Sequence, residues 1–159
     1  MRLAAAALLA LAAIPPASAL ADAPDPTFQA TLRRGPCMGT CANYSVSIDA
    51  GGKVTFSGSR PSRGPAPPPC PGTQTWRIPL SSVTTLRDQL DRADFFALKD
   101  SYRGGLMDVP TFSVTVTRGG RTKTVVDRAG EMAGMPKSVH EIEAAIDKAA
   151  GDDRCLAPR

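Results

Sequence analysis

The stretch that decides the fold is YSVSIDAGGKVTF, which runs from Tyr44 to Phe56. Apolar and polar residues alternate on both sides of its glycine pair, and this period of two is typical of half-buried antiparallel strands. A glycine pair also supplies the positive φ angles of a tight turn. The stretch therefore predicts a β-hairpin whose inward face carries Tyr44, Val46, Ile48, Val54 and Phe56.

The same periods extend the prediction along the chain. Alternation predicts a strand from Phe28 to Gly35, a fourth strand over residues 74–78, and two later strands joined by Gly119-Gly120. Helical spacing predicts one helix beginning with a serine cap near Leu80 and a second between Pro136 and Gly151. We predict an α+β fold in the order ββββαββα, an antiparallel sheet of about six strands with two helices packed on one face. Phe96 and Phe112 belong to its predicted core.

The N-terminus has the layout of a cleavable export signal. Arg2 precedes an apolar run from Leu3 to Ile14, and the small residues Ala17-Ser18-Ala19 follow. We predict a signal peptide at residues 1–19, with Ala21 as the alternative cleavage site. The mature protein is then expected in the periplasm or outside the cell, without a membrane span.

The mature chain has the size of one domain. About 140 residues remain after cleavage, enough for a single core. We predict a flexible lead-in at 20–27, one α+β domain at 28–150 and a C-terminal tail at 151–159. We expect a monomer.

The chain has four cysteines, an even number that predicts disulfides in an oxidising compartment. Three pairings are possible. We favour Cys37 with Cys41, because a short turn brings them within reach. The second pair, Cys70 with Cys155, would then tie a proline-rich loop at residues 59–75 to the C-terminal tail.

The composition and motifs exclude several classes of function. The net charge of +4 comes from scattered lysines and arginines, and with one tryptophan it argues against nucleic acid binding. We found no nucleophile motif or phosphate loop, and the only histidine is His140. We therefore predict that the protein is not an enzyme. His140 itself is expected to be a surface or half-buried helix residue.

A set of separated motifs resembles a known family. The motifs are R-x-P-C-x-G-T-C-x-x-Y from Arg34 to Tyr44, A-D-F-F-x-L-x-D-x-Y from Ala93 to Tyr102, D-x-P-T from Asp108 to Thr111, and V-V-D from Val125 to Asp127. In this order they are similar to the exported bacterial domains of unknown function called DUF6438, over Phe28 to Ala150. The chain departs from the family's usual pattern at Ala42, where proline is common, and in the insert around Cys70. The resemblance implies a small α+β domain in a bacterial envelope and no activity.

We predict a non-enzymatic binding or structural role, with an envelope protein, a polymer or a small ligand as partner and without a cofactor. Since loops on a rigid sheet commonly carry function, the predicted contact surface comprises Arg34, Tyr102, Asp108 and Thr111. One alternative is a copper or thiol-redox site formed by Cys37, Cys41 and His140, because C-x-x-x-C resembles the motif of cytochrome-oxidase copper chaperones. The other alternative is an unrecognised enzyme.

Overall fold

The computed structural model describes residues 25–39, 41–59, 70 and 72–156. The predicted signal peptide and most of the proline-rich loop lie outside the described residues. In the described part, seven strands and two α-helices follow one another along the chain: β1 Gln29–Arg34, β2 Asn43–Asp49, β3 Lys53–Ser59, β4 Gly72–Arg77, α1 Leu80–Arg92, β5 Ser101–Arg103, β6 Phe112–Arg118, β7 Arg121–Arg128 and α2 Lys137–Ala150.

The strands form one mixed sheet in the order β4-β3-β2-β1-β6-β7-β5. Neighbouring strands are antiparallel except for β5, which pairs with β7 in parallel. The predicted α+β class and order of long strands are confirmed, and the estimate of six strands is one too low. The additional strand, β5, has three residues, too few to show a period of two.

The β2–β3 hairpin has the predicted inward face, with Val46 opposite Phe56 and Ile48 opposite Val54. Its turn contains three residues, Ala50, Gly51 and Gly52, instead of the predicted glycine pair alone. The side chain of Asp49 accepts hydrogen bonds from the backbone N–H groups of Gly51 and Lys53, each at 2.9 Å. Within the glycine pair, Gly52 has a positive φ of 74° and Gly51 does not, so one residue supplies the left-handed conformation.

The core lies between the inward face of the sheet and the two helices. Phe28, Phe56 and Phe95 are among the largest side chains that it buries completely. Two predicted core residues are instead half-buried: Phe96 and Phe112. Phe112 begins β6 at the edge of the core, and the Arg34 guanidinium carbon lies 4.6 Å from the centre of its ring.

Both helices begin directly after a proline, whose fixed φ suits a helix start. The predicted serine cap of α1 is wrong: Pro79 occupies the N-cap without a side-chain hydrogen bond, and Ser82 N–H donates to the Pro79 carbonyl at 3.0 Å. The second helix ends at Gly151 as predicted, where the backbone is left-handed with φ 61°. None of the helices in the described ranges is long and apolar enough to cross a membrane.

Two disulfides close the structure. They join Cys37 to Cys41 and Cys70 to Cys155, with Cα–Cα distances of 5.6 and 4.8 Å. These are the pairs favoured from the sequence.

The segment predicted as a C-terminal tail begins inside the core. A 3-10 turn at Asp152–Cys155 buries both of its end residues, to 3% and 1% exposure. The last residues of the predicted lead-in are also held in place, because Gly119 N–H donates to the Asp25 side chain at 2.7 Å. The packed unit therefore extends beyond residue 150, and a surface hydrogen bond attaches residue 25 to the turn between β6 and β7.

We expect the long disulfide to contribute more stability than the short one. In the chain-entropy account, closing the 85-residue separation of Cys70 and Cys155 stabilises by about 4–5 kcal/mol, against about 2 kcal/mol for the Cys37–Cys41 turn. The double variant Cys70→Ala/Cys155→Ala should therefore unfold at a lower urea concentration than Cys37→Ala/Cys41→Ala. Equal midpoints would contradict this ranking.

Candidate functional site

Several loops meet at one end of the sheet. Strand β1 ends there at Arg34, β2 and β6 begin there, and β5 and β7 end there, since Arg34 pairs with Tyr44 and Phe112 and the latter pairs with Asp127. We call this the loop end, and it comprises residues 35–39, 41–42, 104–111 and 129–136. A backbone hydrogen bond from Gly35 N–H to the Thr111 carbonyl, at 2.8 Å, joins the segment 35–39 to the loop 104–111.

Arg34 forms an ion pair with the second helix just behind the loop end. Its Nη2 and Nε atoms donate to Asp147 Oδ2 at 2.7 and 3.2 Å, and Nε also contacts the Tyr44 hydroxyl at 2.9 Å. The Tyr44 hydroxyl donates in turn to Asp147 Oδ1 at 2.8 Å. Both carboxylate oxygens of Asp147 are therefore bonded, and β1, β2 and α2 are joined through one closed network.

A second polar group lies beside this network, around His140. Its Nδ1 atom is 3.7 Å from Asp127 Oδ2 and 3.5 Å from Glu143 Oε2, and its Nε2 atom is 3.3 Å from Glu131 Oε1. Asp127 and Glu143 are buried, with side chains 5% and 3% exposed, whereas the His140 side chain is 42% exposed. Arg34 links the two groups, because its Nη1 atom lies 3.7 Å from Glu143 Oε2.

Gly130 holds Asp127 in position. Its backbone N–H donates to Asp127 Oδ1 at 2.8 Å in a buried hydrogen bond. A Cβ atom on Gly130 would lie 2.7 Å from that same oxygen and 2.7 Å from the Met135 sulfur. Such a Cβ would also lie 2.9 Å from the Tyr102 Cβ, so a side chain at this position would displace the Asp127 carboxylate and the packing around it.

The network contains more carboxyl groups than cations. The pKa values of two of these carboxyl groups, Glu143 and Asp152, are raised. Burial raises the pKa of Glu143, Asp127 raises it further, and Arg34 and His140 oppose both effects. Burial and then the neighbouring Asp147 raise the pKa of Asp152 to about 8. At neutral pH, protons therefore offset part of the negative charge that burial concentrates here.

The predicted contact surface needs two corrections. Tyr102 is only 4% exposed, so it is a core residue, and its hydroxyl accepts a hydrogen bond from Lys99 N–H at 3.1 Å. Arg34 turns inward to Asp147, with 16% of its side chain exposed. Asp108 and Thr111 do lie in a loop of the loop end, exposed and half-buried respectively.

In this oxidised structure, the two cysteines and the histidine of the alternative copper site have separate bonding partners. The sulfur atoms of Cys37 and Cys41 are bonded to each other, and the ring nitrogens of His140 face carboxylates. Copper binding by the two thiols stays a prediction about the reduced protein.

Sequence reasoning missed the acids: Asp127, Glu143, Asp147 and Asp152. The strand and helix periods that predict the core also point to two of these acids. Asp127 continues the inward positions of β7 after Val125, and Glu143 follows Ile142 within the buried stripe of α2. A charged residue at a core position is expected to be paired, and that expectation could have identified both.

The loop end also exposes apolar side chains. The described residues include five large hydrophobic side chains that are well exposed, and all but Leu80 lie at this end: Met38 (63%), Leu106 (46%), Met107 (82%) and Met132 (65%). The loops that carry them touch, since a Cβ atom on Gly104 would lie 3.0 Å from the Met132 Cβ. Leu80 lies near the opposite end, next to the strand end at which Arg77 pairs with Lys53.

The fold and the charge network define a small disulfide-bonded α+β domain with a mixed sheet and two helices. Residues 28–150 match the family described as Domain of unknown function (DUF6438). The chain belongs to this family, which confirms the resemblance seen in the sequence. No curated protein matches the chain significantly.

We expect Arg34→Ala to destabilise the fold strongly, because it leaves Asp147 and Glu143 without their guanidinium partner. Removing one member of a buried ion pair costs about 3–5 kcal/mol, and the partial exposure of Arg34 favours the lower figure. Urea unfolding measures the loss. Arg33→Ala is the matched control, since Arg33 is exposed on the other face of β1. Equal losses in the two variants would contradict the role of the ion pair.

We also expect stability to fall as the pH rises from about 5 to 8. Asp152 has a pKa near 4 when unfolded and about 8 when folded, so the folded protein binds a proton that the unfolded chain releases in this range. The charged and titratable groups around it are Arg34, Tyr44, Asp147 and Asp153.

Asp152→Asn should reduce this pH dependence and stabilise the protein most at the alkaline end. Urea unfolding at several pH values measures the slope. The exposed neighbour provides the control variant Asp153→Asn, which should reduce the slope far less, because Asp153 is the weakest of the named influences on the Asp152 pKa. An unchanged slope in Asp152→Asn would show that another group titrates.

Proposed function

We propose that this chain is an exported, non-catalytic binding domain that works in the bacterial envelope. Its two disulfides support an oxidising compartment, and the layout of residues 1–19 supports export. Its loops at one end of the sheet are the proposed contact surface.

The observation that carries this proposal is the cluster of exposed Met38, Leu106, Met107 and Met132 at the loop end. Isolated exposed apolar residues are ordinary, but several on neighbouring loops favour an interaction site. Three of the four are methionines, whose unbranched thioether side chains adapt to irregular apolar surfaces. The proposed partner is therefore an apolar segment of another envelope protein.

Polar residues surround this cluster, as they do at most protein interfaces. Asp108 and Glu131 are exposed acids on the same loops, and Arg103 and Lys137 are exposed bases next to them. The rigidity of the surface supports the same role. The Cys37–Cys41 disulfide restrains the loop of Met38, and the Gly35–Thr111 hydrogen bond attaches the neighbouring loop to it.

The test compares charged substitutions at the two ends of the sheet. Met107→Asp and Met132→Asp should each weaken capture of the partner from envelope extract by about tenfold or more, the effect of losing ~1.4 kcal/mol of binding free energy. Leu80→Asp is the control, because Leu80 is equally apolar and 62% exposed away from the loop end. All three variants should fold like the wild type, since the substituted side chains lie at the surface.

Identical capture by all variants would show that the partner binds elsewhere. Loss of capture in Leu80→Asp alone would move the contact surface to the opposite end of the sheet. Failure of the wild-type protein to capture any partner at all would count against the binding role.

A further inference from the structure

The group around His140 has the spacing of metal ligands. The nearest atoms of Asp127, His140 and Glu143 all lie within 4.8 Å of one another. Around a tetrahedral zinc ion with bonds of about 2.0–2.1 Å, neighbouring ligand atoms are about 3.3 Å apart. The His140 Nδ1 atom lies 3.7 Å from Asp127 Oδ2 and 3.5 Å from Glu143 Oε2. Binding an ion would require the side chains to draw together from separations of up to 4.8 Å.

A buried oxygen atom in this group lacks a partner. Glu143 Oε1 accepts no hydrogen bond from the described residues, although the Glu143 side chain is 97% buried. A buried acceptor without a hydrogen bond is costly, and a buried carboxylate more so. A cation held by Glu143 through Oε1, or through both of its carboxylate oxygens, would satisfy this atom and would balance the acids that Arg34 neutralises only in part.

The remaining atoms of the candidate ligands are already held. Gly130 N–H binds Asp127 Oδ1 and leaves Oδ2 facing the histidine. His140 Nε2 lies 3.3 Å from Glu131 Oε1, and a ring with its hydrogen on Nε2 would turn the lone pair of Nδ1 to the two buried carboxylates. A carboxylate behind a ligating histidine is the usual arrangement in metalloproteins, because it fixes the tautomer and the ring orientation.

From this geometry we propose that Asp127, His140 and Glu143 bind a divalent transition-metal cation, with zinc as the best match and Glu131 as the orienting carboxylate. One imidazole nitrogen and two carboxylate oxygens suit zinc and leave a coordination position for water. The exposed side of His140 provides the entry path for the ion. The site shares Glu131 with the polar border of the proposed contact surface, but none of its three ligands is an exposed apolar residue of that surface, and it requires no thiol ligand.

The only histidine of the chain makes the test specific. Zinc chloride is titrated into the mature protein with both disulfides intact, without an affinity tag and after treatment with a chelator. Calorimetry measures the affinity, and nitrogen NMR of the imidazole ring reports which atom binds. We expect one zinc ion per chain, a large shift of the His140 Nδ1 resonance and a higher melting temperature. Manganese and calcium chlorides, as harder ions, should bind more weakly.

Variants separate the site from nonspecific binding. His140→Ala should lower the zinc affinity by more than tenfold, and Glu131→Gln by about tenfold, as expected for loss of an orienting carboxylate. His140 and Glu131 are partly or largely exposed, so both variants should fold. Glu141→Gln is the matched control, since Glu141 is an exposed acid beside His140 on the same helix, and it should bind like the wild type.

Two results would overturn the proposal. The first is a wild-type protein that binds no zinc at millimolar concentration. The second is zinc binding that leaves the His140 resonances unshifted and survives His140→Ala, which would place the ion elsewhere on the protein. Neither result depends on capture of a protein partner, so this site and the contact surface are judged separately.

Discussion

The ion pair between Arg34 and Asp147 is the interaction on which the loop end depends. It joins the last residue of β1 to the last turns of α2, and the Tyr44 hydroxyl bonds to both partners. Because a buried charge is costly unless it is paired, Arg34 cannot leave this position without exposing Asp147 and Glu143 to the same cost. The pair thereby fixes the helix against the sheet at the point where the loops emerge.

The carboxyl groups around Arg34 outnumber the cations with which they can pair. Four carboxyl groups, from Asp127, Glu143, Asp147 and Asp152, surround the Arg34 guanidinium and the half-exposed His140. Burial and mutual repulsion raise the pKa of two of them, so protons already share the role of counter-ion. The disulfides lie beside the same network, since Cys37 follows Arg34 by three residues and Cys155 follows Asp152 by three. The disulfides restrain the segments that carry these charged side chains.

Much of the fold follows from residue periods, and the differences have local causes. The long strands, both hairpins and both helices are where alternation and helical spacing predict them, because all but β4 bury a continuous apolar face. Strand β5 is too short to show a period. Phe112 has the inward parity of β6, but it lies at the end of the sheet where Arg34 covers it and solvent reaches it. The serine cap of α1 failed because Pro79 takes that position.

The sequence by itself determined which faces are buried, where the chain turns and which family it belongs to, because these depend on local patterns and on motif order. It also named Arg34 and His140 without their partners. Only the tertiary structure decided that Arg34 faces inward to Asp147, that Tyr102 is buried, and that Asp127, His140 and Glu143 lie together. The Arg34–Asp147 contact joins opposite halves of the chain, and the Asp127–His140–Glu143 group joins a strand to a helix. Their energy depends on burial and on distances between charges, which exist only after strands and helices have packed.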